Sequence, residues 1–127
     1  MEKRYKILVV DDDEKALILM EAVLKPYGYD VVLINDGRQA IQTARKEKPD
    51  LILLDIMMPG FDGYTVLNII KKEDTIKNIP VVIVSALGND GDKLVASICG
   101  ASAYITKPIN SKHLIGTVTR FLPDPTS

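Results

Sequence analysis

The chain has 127 residues, 46% of them hydrophobic, and 16 basic against 17 acidic side chains give a formal net charge of −1. That is the length of one domain with one core, and it lacks the basic excess of a direct nucleic-acid binder. No apolar run approaches the ~20 residues that span a bilayer, the charged stretch Met1 to Lys6 leads into only four aliphatic residues and is no signal peptide, and the lone Cys99 forms no internal disulfide and suits a reducing cytoplasm.

Ile7 to Val10 is a short aliphatic run that ends in Asp11-Asp12-Asp13. Runs this short, bounded by polar or turn residues, read as strands buried on both faces. Ala16, Leu19, Met20, Val23, Leu24 and Tyr27 then recur at three- and four-residue steps. This predicts a helix with that stripe inward, ended by Pro26 and Gly28. On that reading Leu17 and Ile18 face outward, one turn from the acidic triplet. Val31 to Ile34 is the second strand. Asn35-Asp36-Gly37 has the composition of a hairpin turn, but Ala40, Ile41 and Ala44 continue at helical spacing, so it reads as a helix start, closed by Pro49-Asp50.

Leu51 to Leu54 is the third strand and runs straight into Asp55, with a Pro59-Gly60 turn soon after. Gly63 to Lys72 carries Val66, Leu67 and Ile70 as an amphipathic helix. Val81 to Val84 is the fourth strand, ending in Ser85-Ala86. Leu94, Val95 and Ile98 mark a weaker helix. Ala103 to Thr106 is a shorter strand ending in Lys107-Pro108. Ser111 can cap a last helix with Leu114, Ile115, Val118 and Phe121 inward, and Leu122 to Ser127 is a tail or the start of a linker.

Five strands alternating with five helices predict an α/β fold, a three-layer sandwich around a parallel sheet with right-handed crossovers. Four strands end in a potentially reactive group: Asp11 and Asp12, Asp55, Ser85, and Lys107. For these ends to share one site their strands must be neighbours, with the second strand outside. The flavodoxin-like order 2-1-3-4-5 satisfies this, and such sheets bind ligands beyond the carboxyl ends of their strands.

Three carboxylates in one crevice repel one another, and a hard divalent cation relieves the repulsion. Mg²⁺ takes a few carboxylates, several waters and a phosphate oxygen. Lys107 adds a point charge and Ser85 a hydroxyl. An aspartate flanked by Mg²⁺ and lysine is equipped to act as a carboxylate nucleophile that forms an acyl phosphate.

With these residues in place, the chain resembles the receiver domain of two-component response regulators over about residues 5 to 122, as a single domain. The resemblance rests on Ile7 to Asp12, Leu53 to Gly63, Val84-Ser85-Ala86 and Tyr104 to Pro108, four motifs in order, each just past a strand. It implies that Asp55 is the phosphoacceptor, charged by a histidine kinase or a phosphotransfer protein in a phosphorelay. Mg²⁺ would be held by Asp12, by Asp55, by the backbone carbonyl of Met57, and by Asp11 mainly through water. Ser85 would bond the phosphoryl group, Ala86 would leave it room, and Lys107 would hold it from the other side. Tyr104 would swing inward as Ser85 moves, altering the surface of the fourth helix, fifth strand and fifth helix. A cis bond before Pro108 is common in the family. So is a phosphorylation-dependent dimer through the fourth and fifth helices. The output would be a downstream protein or a fused output domain. The resemblance also implies that the domain would assist its own phosphorylation and dephosphorylation without external turnover. Met57 and Leu87 carry no group to position an attacking water, so phosphate loss should be slow.

Leu17 and Ile18, taken as exposed aliphatics near the acidic cluster, are candidates for docking a partner helix. One rival function is a Mg²⁺-dependent phosphatase with an aspartyl nucleophile. Such enzymes usually place a second aspartate two residues after the nucleophile, where this chain has Met57. A flavodoxin-like cofactor binder would need a hydroxyl- or glycine-rich phosphate loop after the first strand, where three aspartates stand. A degenerate receiver that works by binding alone does not need the complete acidic set present here. His113, early in a helix, reads as a surface residue with no role, and Cys99 as a small buried hydrophobe.

Overall fold

The computed structural model describes residues 4–123. The readings made for Met1 to Lys3 and for the tail beyond Pro123 lie outside the described residues. Five strands, β1 (Lys6–Val10), β2 (Asp30–Ile34), β3 (Leu51–Leu54), β4 (Val81–Ser85) and β5 (Ala103–Thr106), form one parallel sheet ordered β2-β1-β3-β4-β5. Val10 stands level with Leu54, and Leu54 with Ile83, so the ends of the three central strands lie side by side.

Successive strand residues point to opposite faces. Ile7, Val9, Leu53 and Val84 therefore feed one core layer, and Leu8, Val10, Leu54 and Ile83 feed the other. Helices α1 (Glu14–Leu24) and α5 (Ser111–Phe121) cover the first layer. The second is covered by α2 (Ala40–Glu47), α3 (Gly63–Lys72) and α4 (Asp90–Ile98). Both faces are shielded, which is why β1, β3 and β4 are unbroken apolar runs rather than alternating ones. The predicted three-layer flavodoxin-like sandwich is the fold found. Where the sequence showed only a turn at Pro59-Gly60, the chain builds a small antiparallel hairpin, Met57–Met58 against Phe61–Asp62, with Gly60 in the left-handed region at φ 69°. The Lys107-Pro108 bond is cis, as the resemblance implied.

Two local readings need correction. The buried face of α1 is Ala16, Leu17, Met20 and Leu24, so Leu17 is only 6% exposed while Leu19 is 43% exposed. The helix is turned by about one residue from the stripe read in the sequence. Leu17 packs into the core, and of the docking pair only Ile18 faces solvent, 62% exposed. Tyr27, assigned to the stripe, is exposed as well.

The cap of α5 is Asn110, whose side chain accepts a hydrogen bond from the His113 N–H at 3.0 Å, rather than Ser111. Asparagine caps as well as serine, and the helix starts one residue earlier than a Ser111 cap would require. Replacing Asn110 by alanine should therefore lower stability by about 1 kcal/mol, and the same change at Ser111 should leave it within a few tenths. Urea denaturation midpoints of the two variants test the assignment, and equal midpoints would count against it.

Candidate functional site

Asp11, Asp55, Ser85 and Lys107 each sit at or one residue past the end of a strand, and continued ladder bonds hold three of them there. The Asp11 N–H donates to the Ile34 carbonyl at 3.0 Å, the Asp55 N–H to the Val10 carbonyl at 2.9 Å, and the Lys107 N–H to the Ser85 carbonyl at 2.8 Å. The sheet thus extends just far enough to hold the backbone of the site. The side chains converge from there. Lys107 Nζ donates to Asp11 Oδ2 at 2.7 Å and to Asp55 Oδ2 at 3.2 Å. Asp11 Oδ1 accepts from the Asp13 N–H at 2.9 Å, and Asp13 in turn caps α1 through the Lys15 N–H. Asp55 Oδ1 accepts from the Met57 N–H at 3.0 Å. Asp11 and Asp55 are buried, whereas Asp12 is exposed at the mouth.

The electrostatics follow from this arrangement. Burial raises the Asp55 carboxyl above the usual carboxylate range, and the neighbouring Asp11 charge adds to the effect, while the Met57 N–H and Lys107 pull the other way. Burial also works against the Lys107 charge, but its bonds and attraction to Asp11 and Asp55 outweigh burial and hold the ammonium above its usual range. One lysine shared between two carboxylates does not fully compensate either.

Asp11, Asp12 and Asp55 each offer one carboxylate oxygen, and these oxygens all lie within 4.8 Å of one another. Against three carboxylates stands one ammonium, which leaves an excess of two negative charges. An all-oxygen donor set with that excess fits a hard divalent cation such as Mg²⁺. Met57 is positioned by its main-chain bond to Asp55, and its side chain is exposed, so it can add only backbone to such a site.

Ser85 is fully buried at the end of β4, where its Oγ accepts from the Leu87 N–H at 3.2 Å. Tyr104 is half-buried, and its hydroxyl donates to the Leu87 carbonyl. Both switch candidates therefore meet the same residue, in the loop that leads into α4. That role of Leu87 was not legible in the sequence, because it uses only backbone atoms. Ile18 borders a separate groove of 290 Å³ beside the N-terminal end of α1, lined also by Glu14, Leu17, Leu33 and Asn35.

Gly63 closes the Leu53 to Gly63 motif, and the structure shows what the missing side chain there makes room for. The first residue of α3, it lies so close to the loop after β3 that an added Cβ would stand 2.4 Å from Ile56 Cα and 2.8 Å from the Asp55 carbonyl oxygen. Its local signal was only that of a helix start.

Comparisons with known proteins bear on the family and the fold. The family model for the response regulator receiver domain matches residues 7–119. The chain is 44% identical over 119 residues to the response regulator PleD of Caulobacter vibrioides, covering 91% of this chain and 26% of that protein. It is 34% identical over 117 residues to protein PilH of Pseudomonas aeruginosa, covering 92% of this chain and 97% of PilH. Most of the curated relatives it matches are longer: the chain spans about a quarter of PleD and 44% to 48% of several transcriptional regulators. Among solved structures, the receiver domain of the sensor histidine kinase PA1611 of Pseudomonas aeruginosa superposes with a TM-score of 0.85 at 29% identity, over 94% of this chain and 98% of that one. That structure has a magnesium ion coordinated in its active-site cleft. The chemotaxis protein CheY4 of Vibrio cholerae superposes with a TM-score of 0.88 at 27% identity, over 94% of this chain and 99% of that one.

Proposed function

Since the chain belongs to the response regulator receiver domain family, we propose that it takes a phosphoryl group onto Asp55 from a histidine kinase or a phosphotransfer protein and passes the signal on through a changed surface at α4, β5 and α5. The observation that carries this reading is the position of Asp55. It is the buried member of an acidic trio, at the end of the central strand, with Lys107 shared between it and Asp11.

The chemistry is a single displacement. A carboxylate oxygen of Asp55 bonds to phosphorus as the bond from phosphorus to the donor's imidazole nitrogen breaks, and the electron pair and a proton end on the imidazole. The product on the protein is an acyl phosphate. Asp12, Asp55 and the Met57 carbonyl, with Asp11 mainly through water, would hold Mg²⁺, which when bound would supply positive charge beside the phosphoryl oxygens. Lys107 Nζ exchanges its carboxylate partners for a phosphoryl oxygen. The Ser85 hydroxyl donates to another, which draws Ser85 inward and changes the surroundings of Leu87 and Tyr104. The chain has no external substrate in this scheme, and its donor places it in the cytoplasm.

The test is direct. Acetyl phosphate with Mg²⁺ should add one phosphoryl group, seen in the intact mass and located at Asp55. A wild-type protein that stays unlabelled under those conditions, and binds no beryllofluoride, would remove the reading.

Donor docking is assigned to Ile18 and the groove it borders, with Leu17 acting from beneath as core. Ile18→Glu should slow phosphotransfer from a protein donor by about tenfold, the size of effect expected for a central interface residue. Labelling by acetyl phosphate should be unchanged, since a small donor needs no docking. Equal rates from the protein donor for variant and parent would remove Ile18 from the interface.

A further inference from the structure

The methionines among the described residues stand in different environments. Met20 belongs to the first core layer and is 1% exposed, and Met58 belongs to the second and is 7% exposed. Met57 is 55% exposed. Peroxides oxidise a thioether where they can reach the sulfur, so Met57 is the one of the three open to attack. Its place in the fold gives that exposure a consequence. The Met57 N–H donates to Asp55 Oδ1 at 3.0 Å. Met57 and Met58 form the first strand of the hairpin after β3, and neighbouring strand residues point to opposite faces. Met58 enters the core, so Met57 turns the other way, to solvent beside Asp55. Its side chain starts two covalent bonds from a nitrogen in contact with the phosphoacceptor. Three rotatable bonds then let the sulfur sweep the space around that carboxylate.

A thioether sulfur is a weak acceptor and does little to orient water. A sulfoxide carries a strongly polar oxygen in the same place. We propose that Met57 is an oxidation site, and that its sulfoxide shortens the life of the acyl phosphate on Asp55. The oxidant is a hydroperoxide. Its O–O bond breaks as one oxygen bonds to the Met57 sulfur, the sulfur is oxidised by two electrons, and the peroxide is reduced to water or an alcohol. The new sulfoxide oxygen accepts a hydrogen bond from a water beside the phosphoryl group and turns a lone pair of that water toward phosphorus. The water oxygen bonds to phosphorus as the bond from phosphorus to the Asp55 oxygen breaks. The electron pair stays on the Asp55 carboxylate, and a proton of the water passes to solvent. The Met57 backbone keeps its N–H bond to Asp55 throughout. This rests on the receiver reading above and adds to it a way for peroxide to end the signal.

The full chain, treated with hydrogen peroxide or left untreated, is labelled with acetyl phosphate and Mg²⁺ and then freed of both reagents except Mg²⁺. Decay of the phosphoryl group is followed by intact mass. Peptide mapping should place one added oxygen on Met57 before any on Met20 or Met58. The treated protein should lose its phosphoryl group about fivefold faster, the size of effect expected of one new hydrogen bond to the attacking water. Methionine sulfoxide reductase, applied before labelling, should restore the original decay. Met57→Leu should decay at one rate with and without peroxide, whatever that rate is. Met1 and Cys99 are present in parent and variant alike, so their oxidation cancels in this comparison. Thermal melts before and after treatment establish that the fold survives. Oxidation of Met20 or Met58 ahead of Met57, an oxidised Met57 with unchanged or slower decay, or an equal peroxide effect in Met57→Leu would overturn the proposal. If the untreated parent takes no phosphoryl group, the receiver reading fails, and the proposal with it.

Discussion

Asp55→Asn is expected to abolish labelling by acetyl phosphate and binding of beryllofluoride while leaving the fold intact. The amide has the size of the carboxylate, and the backbone bond from Asp55 N–H to the Val10 carbonyl does not depend on the side chain. Lys107 keeps its 2.7 Å partner at Asp11 Oδ2. The change removes the nucleophile and one of the three clustered carboxylates together, so the rate should fall by at least about a thousandfold, to the level of unspecific reaction. Stability should not fall with it. Asp55 is a buried carboxylate that the fold holds above its usual range, mainly through desolvation, so its charge is not a net support of the native state. The two readouts separate the explanations. Loss of labelling with an unchanged melting temperature assigns the chemistry to Asp55. Labelling equal to that of the parent would move the phosphoacceptor elsewhere, and loss accompanied by unfolding would make Asp55 a structural residue.

The strands and the site were legible in the sequence for one shared reason. A parallel strand covered on both faces has no polar position until it leaves the sheet, so Val10-Asp11, Leu54-Asp55 and Val84-Ser85 mark strand ends and candidate site residues in the same step. Helix α1 was misread because it offers little contrast. Apart from Glu14, Lys15 and Glu21 it is apolar all round, so Ala16, Met20 and Leu24 can be joined at helical spacing either by Leu19 and Val23 or by Leu17. Only packing against β1 and α5 selects the second. In α4 the roles reverse. Leu94, Val95 and Ile98 signalled the helix, yet all three are exposed and the buried residue is Ala96, so periodicity found the element without finding its inner face. Asn110 and Ser111 are adjacent and cap equally well, and local sequence cannot choose between them. Leu87 and Gly63 act through a carbonyl and through a missing Cβ, neither of which leaves a pattern in side-chain chemistry.

Gly63→Ala should lower stability by roughly 2–4 kcal/mol, although helix propensity alone favours alanine over glycine by about 1 kcal/mol. The helix begins at Gly63 under an Asp62 cap that accepts from the Tyr64 N–H at 3.0 Å, so the backbone there is ordinary and φ does not demand glycine. Space does. The Cβ would meet Ile56 Cα at 2.4 Å and the Asp55 carbonyl oxygen at 2.8 Å, both main-chain atoms that no rotamer change can move aside. Either α3 retreats from the sheet or the Asp55–Ile56 segment shifts, and the second course displaces the phosphoacceptor together with the Met57 backbone that follows it. Gly116, within α5, provides the internal comparison, because an added Cβ there meets nothing within 4 Å. Gly116→Ala should raise stability by about 0.5–1 kcal/mol through the same propensity that fails at Gly63. Urea unfolding of the two variants should therefore move in opposite directions, and Gly63→Ala should also weaken beryllofluoride binding at temperatures where it remains folded. A stabilising or neutral Gly63→Ala would mean that α3 yields at little cost, and that its close approach does not hold Asp55 in place.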